Sequence, residues 1–244
     1  MSDPTPQRRT ELAAERIREQ ILRGHYQVGE RLPGERDMAA RLGVNRGAVR
    51  EALKTLELQG LVATRPGGTI VCALHDASIS VVRHLLAIDG VPNVAVIAQL
   101  LDVQEMLVAG AARLAVERGS ADDLLHAREL AVALADATQH PETLPELFDE
   151  IVDLITRASG NLVLMLWRNT VRPALSERLA PLRPMMRPDP AIGGIVEQMA
   201  SAIRMRDAAG TEEAIRRLLR RRRDQLLAVL EATAPEAGTD RRAH

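Results

Sequence analysis

Residues 31–71, RLPGERDMAARLGVNRGAVREALKTLELQGLVATRPGGTIV, decide how the first part of the chain folds. Apolar residues at Met38, Ala39 and Leu42 mark a short helix, Gly43 breaks it, and Val49, Ala52, Leu53 and Leu56 recur at helical spacing in a second. Gly60 ends that second helix. Leu61 to Thr64 and Thr69 to Val71 are β-rich runs around Pro66-Gly67-Gly68, which predicts a hairpin with a glycine tip. Two helices about a tight turn and then a hairpin make a helix-turn-helix with a wing.

With Val49, Leu53 and Leu56 turned inward, Arg46, Arg50 and Lys54 share an outward strip of the second helix at spacing i, i+4, i+8. Gly47 and Ala48 add almost no bulk beside it. A slender basic helix end of this kind suits the major groove of duplex DNA, where Arg donates two hydrogen bonds to guanine or clamps a phosphate. A solvated helix face also carries Arg and Lys; the turn and the wing are what favour the groove.

Upstream, Thr10 is placed to cap a helix reaching about Arg23 with Leu12, Ile17, Ile21 and Leu22 on its apolar side, behind a loose arm over residues 1–9. Downstream the pattern changes near 73–77, giving a winged domain over 10–73 and a second domain over 77–233. The second domain reads as helix throughout, in segments near 76–89, 93–118, 120–138, 143–158, 161–180, 189–208 and 211–232, separated by Gly90, Pro92, Gly119, Pro141, Gly160, Pro188 and Gly210. The fold class is mainly α: a winged helix-turn-helix followed by six or seven antiparallel-leaning helices able to enclose a cavity. The stretch after Thr233 has the composition of a disordered tail.

Composition agrees. Of 244 residues 46% are hydrophobic, but aromatics are reduced to Tyr26, Phe148 and Trp167, and Ala and Leu dominate. Cys72 is the single cysteine, so an intrachain disulfide is excluded and a reducing cytoplasm fits; no signal peptide or uninterrupted membrane-length apolar span is visible. Residues 1–75 hold 12 Lys and Arg against 9 Asp and Glu, a net +3, whereas 76–244 hold 20 against 24, a net −4. Only the front of the chain suits a polyanion, and so modestly that affinity must rest on placed arginines and on two copies of the reading head.

Leu32-Pro33-Gly34-Glu35-Arg36, Leu42-Gly43-Val44-Asn45-Arg46, Val49-Arg50-Glu51-Ala52-Leu53, Leu56-Glu57, Gly60-Leu61-Val62 and Gly67-Gly68 together resemble, in order and spacing, the DNA-binding domain of the GntR family of bacterial transcription regulators. By that resemblance Arg36, Asn45, Arg46 and Arg50 fall where the family contacts DNA, and Gly67 and Gly68 fall at the wing tip; Gly47, between Arg46 and Arg50 and without bulk, is expected to lie against DNA with them. Asn45 stands where Ser or Thr is usual. Ala158-Ser159-Gly160-Asn161, and Ala202-Ile203 with Asp207, resemble landmarks of the effector-binding domain of the FadR-type subgroup, an FCD-like all-helical bundle that senses small metabolites and dimerises. Many such bundles hold a divalent metal with one Asp and three His. The corresponding positions here are Phe148, Val152, Val196 and Leu218 or Arg221, none of them a ligand. The six histidines, at 25, 75, 84, 126, 140 and 244, are scattered without metal-binding spacing. Asp149 and Asp153, one turn apart, are either a solvated acidic edge or, with a shift of one residue, the remnant of a metal pair; no metal or other cofactor is expected.

Three polar residues interrupt apolar stripes. Gln104 lies among Ile97, Leu100, Leu107, Val108 and Ala111; Asn169 among Leu162, Met165, Leu166 and Pro173; Arg222 among Ile215, Leu219, Leu226 and Val229. An unpartnered buried polar group costs about 1–3 kcal/mol, so these either bond one another or await a ligand. Arg222 then meets either an acidic group of an effector, an organic acid or acyl compound, or an internal carboxylate, while Arg216, Arg217, Arg220, Arg221 and Arg223 read as a solvated basic face. The expected function is a homodimeric, sequence-specific DNA-binding regulator, a metabolite-responsive repressor on a palindromic operator, in the cytoplasm and away from membranes. An architectural DNA-binding dimer without an effector is the alternative, favoured if the three polar residues bond around a filled core. An enzyme is disfavoured, because GxSxG, HExxH, GxxxxGK[ST] and GxGxxG are all absent.

Overall fold

A computed structural model of the chain describes residues 5–88, 90–137, 143–187 and 189–233. Part of the amino-terminal arm, Pro141, Pro188 and the tail beyond Thr233 lie outside these residues. The chain divides into two compact units, Met1–Gly90 and Val91–His244.

In the first unit, helix α1 (Pro6–Leu22) packs on α3 (Arg46–Leu58), and α2 (Glu35–Leu42) closes the other side. Helix α1 begins earlier than the sequence suggests: Thr5 is its cap, accepting from the Arg8 amide at 3.5 Å, and Pro6 suits the first helical position, where no amide partner is needed. Ile17, Val49, Ala52, Leu56 and Leu61 are fully buried at the centre. Strands β1 (Val62–Arg65) and β2 (Gly68–Val71) form the wing, with Val62 opposite Val71 and Arg65 opposite Gly68. Glu57 of α3 pins it, accepting from the Thr64 amide at 2.7 Å and its hydroxyl at 3.2 Å.

Asp89, the last of the segment expected to be helical, lies outside the described residues, and residues 76–88 do not make one helix. They are broken into short turns at Leu74–Asp76 and Ile79–Val81 and the four-residue α4 (Val82–Leu85), because Ser78 turns its hydroxyl onto the Ser80 amide and β-branched residues follow. This stretch belongs with the first unit, not with the helical body that the change of pattern near Ala73 suggests: Val81 is in the winged core, Ala77 and Leu85 pack on it, and the Ser78 amide donates to the Gln59 carbonyl.

Among the described residues, the second unit contains α5 (Val94–Arg118), α6 (Ala121–Asp136), α7 (Leu144–Ala158), α8 (Leu162–Leu179), α9 (Pro190–Arg204) and α10 (Ala208–Thr233), with a 3-10 turn at Ala180–Met185. Helix α5 packs against α10 and α7, α6 against α7 and α9, and α9 against α10. By length and composition alone α5 could cross a membrane, its mean hydropathy reaching 1.5. Ile97, Leu100, Val108 and Ala112 of this helix are buried in the core of the second unit, and 39% of the apolar window is buried.

The landmark residues have local jobs. Buried Ser159 donates to the Thr156 carbonyl at 2.6 Å and accepts from the Asn161 amide at 3.2 Å, and Asn161 caps α8, which folds the chain sharply between α7 and α8. Gly210 is not a breaker. The break lies at Met205–Asp207, where Arg206 takes φ 53° and Asp207 accepts from the Gly210 amide at 2.9 Å, so α10 starts ahead of Gly210.

Candidate functional site

The first unit presents α3 and the wing. Asn45 caps α3, its Oδ1 accepting from the Ala48 amide at 2.8 Å, so its carbonyl end is committed to the helix while the amide NH2 stays available as a donor. Val49, Leu53 and Leu56 are buried as expected, and Arg46, Gly47 and Arg50 are exposed on the far side. Lys54 shares that strip but is tied to Glu51 at 3.0 Å. Arg36 stands exposed on α2. No carboxylate pairs with Arg36, Arg46 or Arg50 among the described residues.

The wing tip supplies a residue that the sequence analysis does not single out. Pro66 and Gly67 connect the strands, with φ 95° at Gly67 and 138° at Gly68. The backbone at 31 pairs with Ile70, and the Arg31 side chain lies across both glycines: a Cβ on Gly67 would come within 2.9 Å of Arg31 Nη1, and one on Gly68 within 3.2 Å of its Cδ. Arg31 and the exposed Arg65 therefore bring two more cations to the wing. The signal that finds Arg31 is its position immediately before Leu32-Pro33, on the segment that pairs with β2.

The second unit holds a partly open cavity of about 100 Å³ lined by α5, α7, α8, α10 and the Ala180–Met185 turn. Leu101, Phe148, Leu175, Leu179, Leu182 and Leu226 give it a mainly apolar wall, and Gln104 and Arg222 both reach it. Gln104 is 6% exposed and its Oε1 has no hydrogen-bond partner. Arg222 lies over the Phe148 ring, its guanidinium carbon 5.4 Å from the centroid, and makes no ion pair among the described residues. Burial pulls the Arg222 pKa down, partly offset by Asp149.

Asn169 is not in this cavity. It is exposed, because the inward face of α8 is Arg168, Val171 and Leu175, whereas Leu162 and Leu166, which suggested the opposite phase, are 65% and 56% exposed. Arg168 is the buried polar residue of α8. It donates to Asp153 Oδ1 at 2.7 Å and to Asp149 Oδ1 at 3.3 Å, and Arg172 also reaches Asp153 at 2.7 Å. Asp149 and Asp153 are thus neither a solvated edge nor half of a metal pair; they neutralise a buried guanidinium. The i, i+4 acids on a strongly apolar helix were the available signal for such a cation.

The arginines of α10 are not simply solvated either. Arg216 pairs with Glu212, Arg217 donates to Gln198 at 2.7 Å, Arg220 reaches the buried Glu105 at 2.8 Å, Arg221 reaches Asp189 at 2.9 Å and Arg223 lies 2.9 Å from Asp102. The positions where the family resemblance implies a metal do not fit one: Val152, Val196 and Leu218 are 1%, 0% and 1% exposed within the apolar core, and Phe148 is part of the cavity wall.

Comparisons with known proteins agree with both halves of this description. Residues 9–71 match the family described as "Bacterial regulatory proteins, gntR family", and residues 99–221 match the FCD domain. The HTH-type transcriptional regulator Mce2R of Mycobacterium tuberculosis is 31% identical over 227 residues, covering 90% of this chain and 92% of its own length. The HTH-type transcriptional regulator Mb0601 of Mycobacterium bovis gives the same figures. In fold alone the chain is similar to the solved structure of Lar of Listeria monocytogenes, with 16% identity, coverage of 96% of this chain and 100% of that one, and a TM-score of 0.52. The chain is a transcription regulator and not an enzyme, and it belongs to the GntR family, with a winged helix-turn-helix followed by an FCD domain.

Proposed function

We propose that the protein is a metabolite-responsive repressor that binds a palindromic operator as a homodimer in the cytoplasm. The observation that carries this reading is the exposed pair Arg46 and Arg50, unpaired among the described residues, on a helix whose opposite face is buried, beside a wing carrying Arg31. One winged head buries too little surface to select an operator tightly, and two heads read both half-sites. The apolar cavity with polar groups left unbonded supports an effector; the architectural alternative expects Gln104 and Arg222 bonded to each other around a filled core. An effector that fits one arrangement of the dimer better than another needs a coupling of only about 1–3 kcal/mol to alter operator occupancy five- to 150-fold.

Selection from a random duplex pool should enrich an inverted repeat, and sedimentation should give twice the 26.7 kDa chain mass. Arg50→Ala should weaken binding to the selected sequence by about 1–3 kcal/mol without lowering the melting temperature. A monomer that retains no preferred sequence would refute the reading.

A further inference from the structure

From Pro66 to Gly68 the tip of the wing has no polar side chain of its own. The cation found there comes from outside the hairpin. The Leu32 amide donates to the Thr69 carbonyl at 2.9 Å and the Val71 amide donates to the Glu30 carbonyl at 3.0 Å, so residues 30–32 run as an extra edge along β2. Side chains alternate along such an edge, and with Leu32 buried in the winged core, Arg31 turns outward. Its stem crosses Gly68 and its guanidinium ends over Gly67. A Cβ on Gly68 would meet Arg31 Cδ, Cγ and Nε at 3.2, 3.4 and 3.6 Å, and one on Gly67 would meet Nη1, Nη2 and Cζ at 2.9, 3.1 and 3.3 Å. Arg31 is exposed, and its side chain has no hydrogen bond or ion pair among the described residues.

We propose that Arg31, and not a residue of the hairpin itself, is the group with which the wing reads base sequence: its guanidinium enters the minor groove beside the pairs that α3 faces and selects A·T pairs there. The inference rests on the operator-binding reading and adds a specificity residue to it. With Arg46 and Arg50 of α3 aimed at the major groove, about 12 Å wide and able to take a helix, the groove left to the same head is the minor one, about 6 Å wide. A glycine tip topped by one flat guanidinium is slim enough for it. In that groove A·T pairs show acceptors alone, whereas G·C adds the guanine amino group, a donor that opposes another donor. Runs of A·T also narrow the groove and deepen its negative potential, which attracts arginine. Because Arg31 is already laid along the wing, little side-chain freedom remains to be lost on binding. Arg65 is the competing cation, but its backbone stands opposite Gly68, below the turn, whereas the Arg31 guanidinium lies over the turn glycine.

Base analogues that alter one groove at a time test this on the full-length protein and the duplex it selects. Each pair in and around one half-site is replaced in turn by A·T, G·C, inosine·C or diaminopurine·T. Inosine·C presents the minor groove of A·T with the major groove of G·C, and diaminopurine·T does the reverse. At one or two pairs beside those that α3 reads, wild type should bind G·C and diaminopurine·T about 5-fold or more weakly than A·T, and inosine·C like A·T. Arg31→Met keeps the apolar stem over Gly68 without the charge; it should bind all four alike at those pairs and keep the wild-type ranking at the pairs α3 reads. Arg65→Met should keep the wild-type preference throughout. If Arg31→Met does not fold, Arg31→Lys replaces it, and its more strongly hydrated ammonium should lose most of the preference. The proposal is overturned if inosine·C follows A·T at no pair, if the preference survives in the Arg31 variant, or if Arg65→Met is the one that loses it. Uniformly weaker binding by the Arg31 variant with the preference intact would make Arg31 a phosphate clamp and overturn it too. A protein that selects an operator without any such pair refutes this proposal alone, whereas one that selects no sequence refutes the regulatory reading.

Discussion

At the scale of single residues, two positions show how backbone and charge constrain the fold. Gly60 follows α3 with φ 73°, and a Cβ there would sit 2.7 Å from the Asp76 carbonyl oxygen. Gly24 has nearly the same φ, 76°, with nothing within 4 Å. Left-handed backbone alone costs a side chain about 1–3 kcal/mol, so Gly60→Ala should lower the melting temperature of the winged unit clearly more than Gly24→Ala; equal effects in calorimetry would remove the crowding argument. Arg168 is the second case. Replacing it by Met removes the buried cation that Asp149 and Asp153 share, their side chains only 23% and 19% exposed, a loss near the lower end of about 3–5 kcal/mol because Arg172 still pairs with Asp153 and some water reaches both acids. Adding Asp153→Asn should recover part of that loss in urea denaturation; strictly additive effects would show that the clamp is not a unit. Gln104 and Arg222 were legible in the sequence because each interrupts a stripe that is in fact buried. Arg168 was hidden because the most apolar residues of α8 are exposed, and they set the phase wrongly.

At the scale of elements, helix ends carry the clearest physical signals. Ser120 and Asp123 cap α6 reciprocally: the Asp123 amide donates to Ser120 Oγ at 3.1 Å, and the Ser120 amide donates to Asp123 Oδ2 at 3.1 Å. The hydrogen bond from the Ser120 hydroxyl, with that from its amide, holds the Asp123 carboxyl below its ordinary range. A depressed carboxyl pKa contributes stability that is present above the unfolded value, near ~3.9, and is lost as pH falls through the folded value. The melting temperature of wild type should therefore exceed that of Asp123→Asn at neutral pH, and the gap should close in acid below the folded pKa; a gap that persists there would contradict the capping account. Ser120→Ala should cost about 0.5–2 kcal/mol. Helix existence in the second unit was readable from periodicity and breakers. Two expectations fail locally: in the first unit 76–88 looks helical by its apolar spacing, yet Ser78 captures the backbone, and in the second Gly210 looks like a stop although Asp207 supplies the cap one turn earlier.

At the scale of the whole molecule, the prediction concerns charge and copy number. Each phosphate contact contributes about 0.9 to the slope of log affinity against log salt. If Arg36 holds a phosphate in both heads of a homodimer, Arg36→Ala should reduce that slope by about 1.8, against about 0.9 for a single head. No change in slope would remove Arg36 from the interface. The sequence by itself determined the winged helix-turn-helix, the mainly helical remainder and the outward arginines of α3, because local periodicity, turn residues and capping are written in neighbouring positions. Only the tertiary structure decided that Arg31 lies across the wing glycines, that Ala77, Val81 and Leu85 pack on the winged core, that Asp149 and Asp153 clamp Arg168, and that among the described residues Arg222 alone of the cavity arginines has no carboxylate. Those facts depend on which side chains from distant segments meet, and pairing between distant charges leaves no periodic trace along the chain.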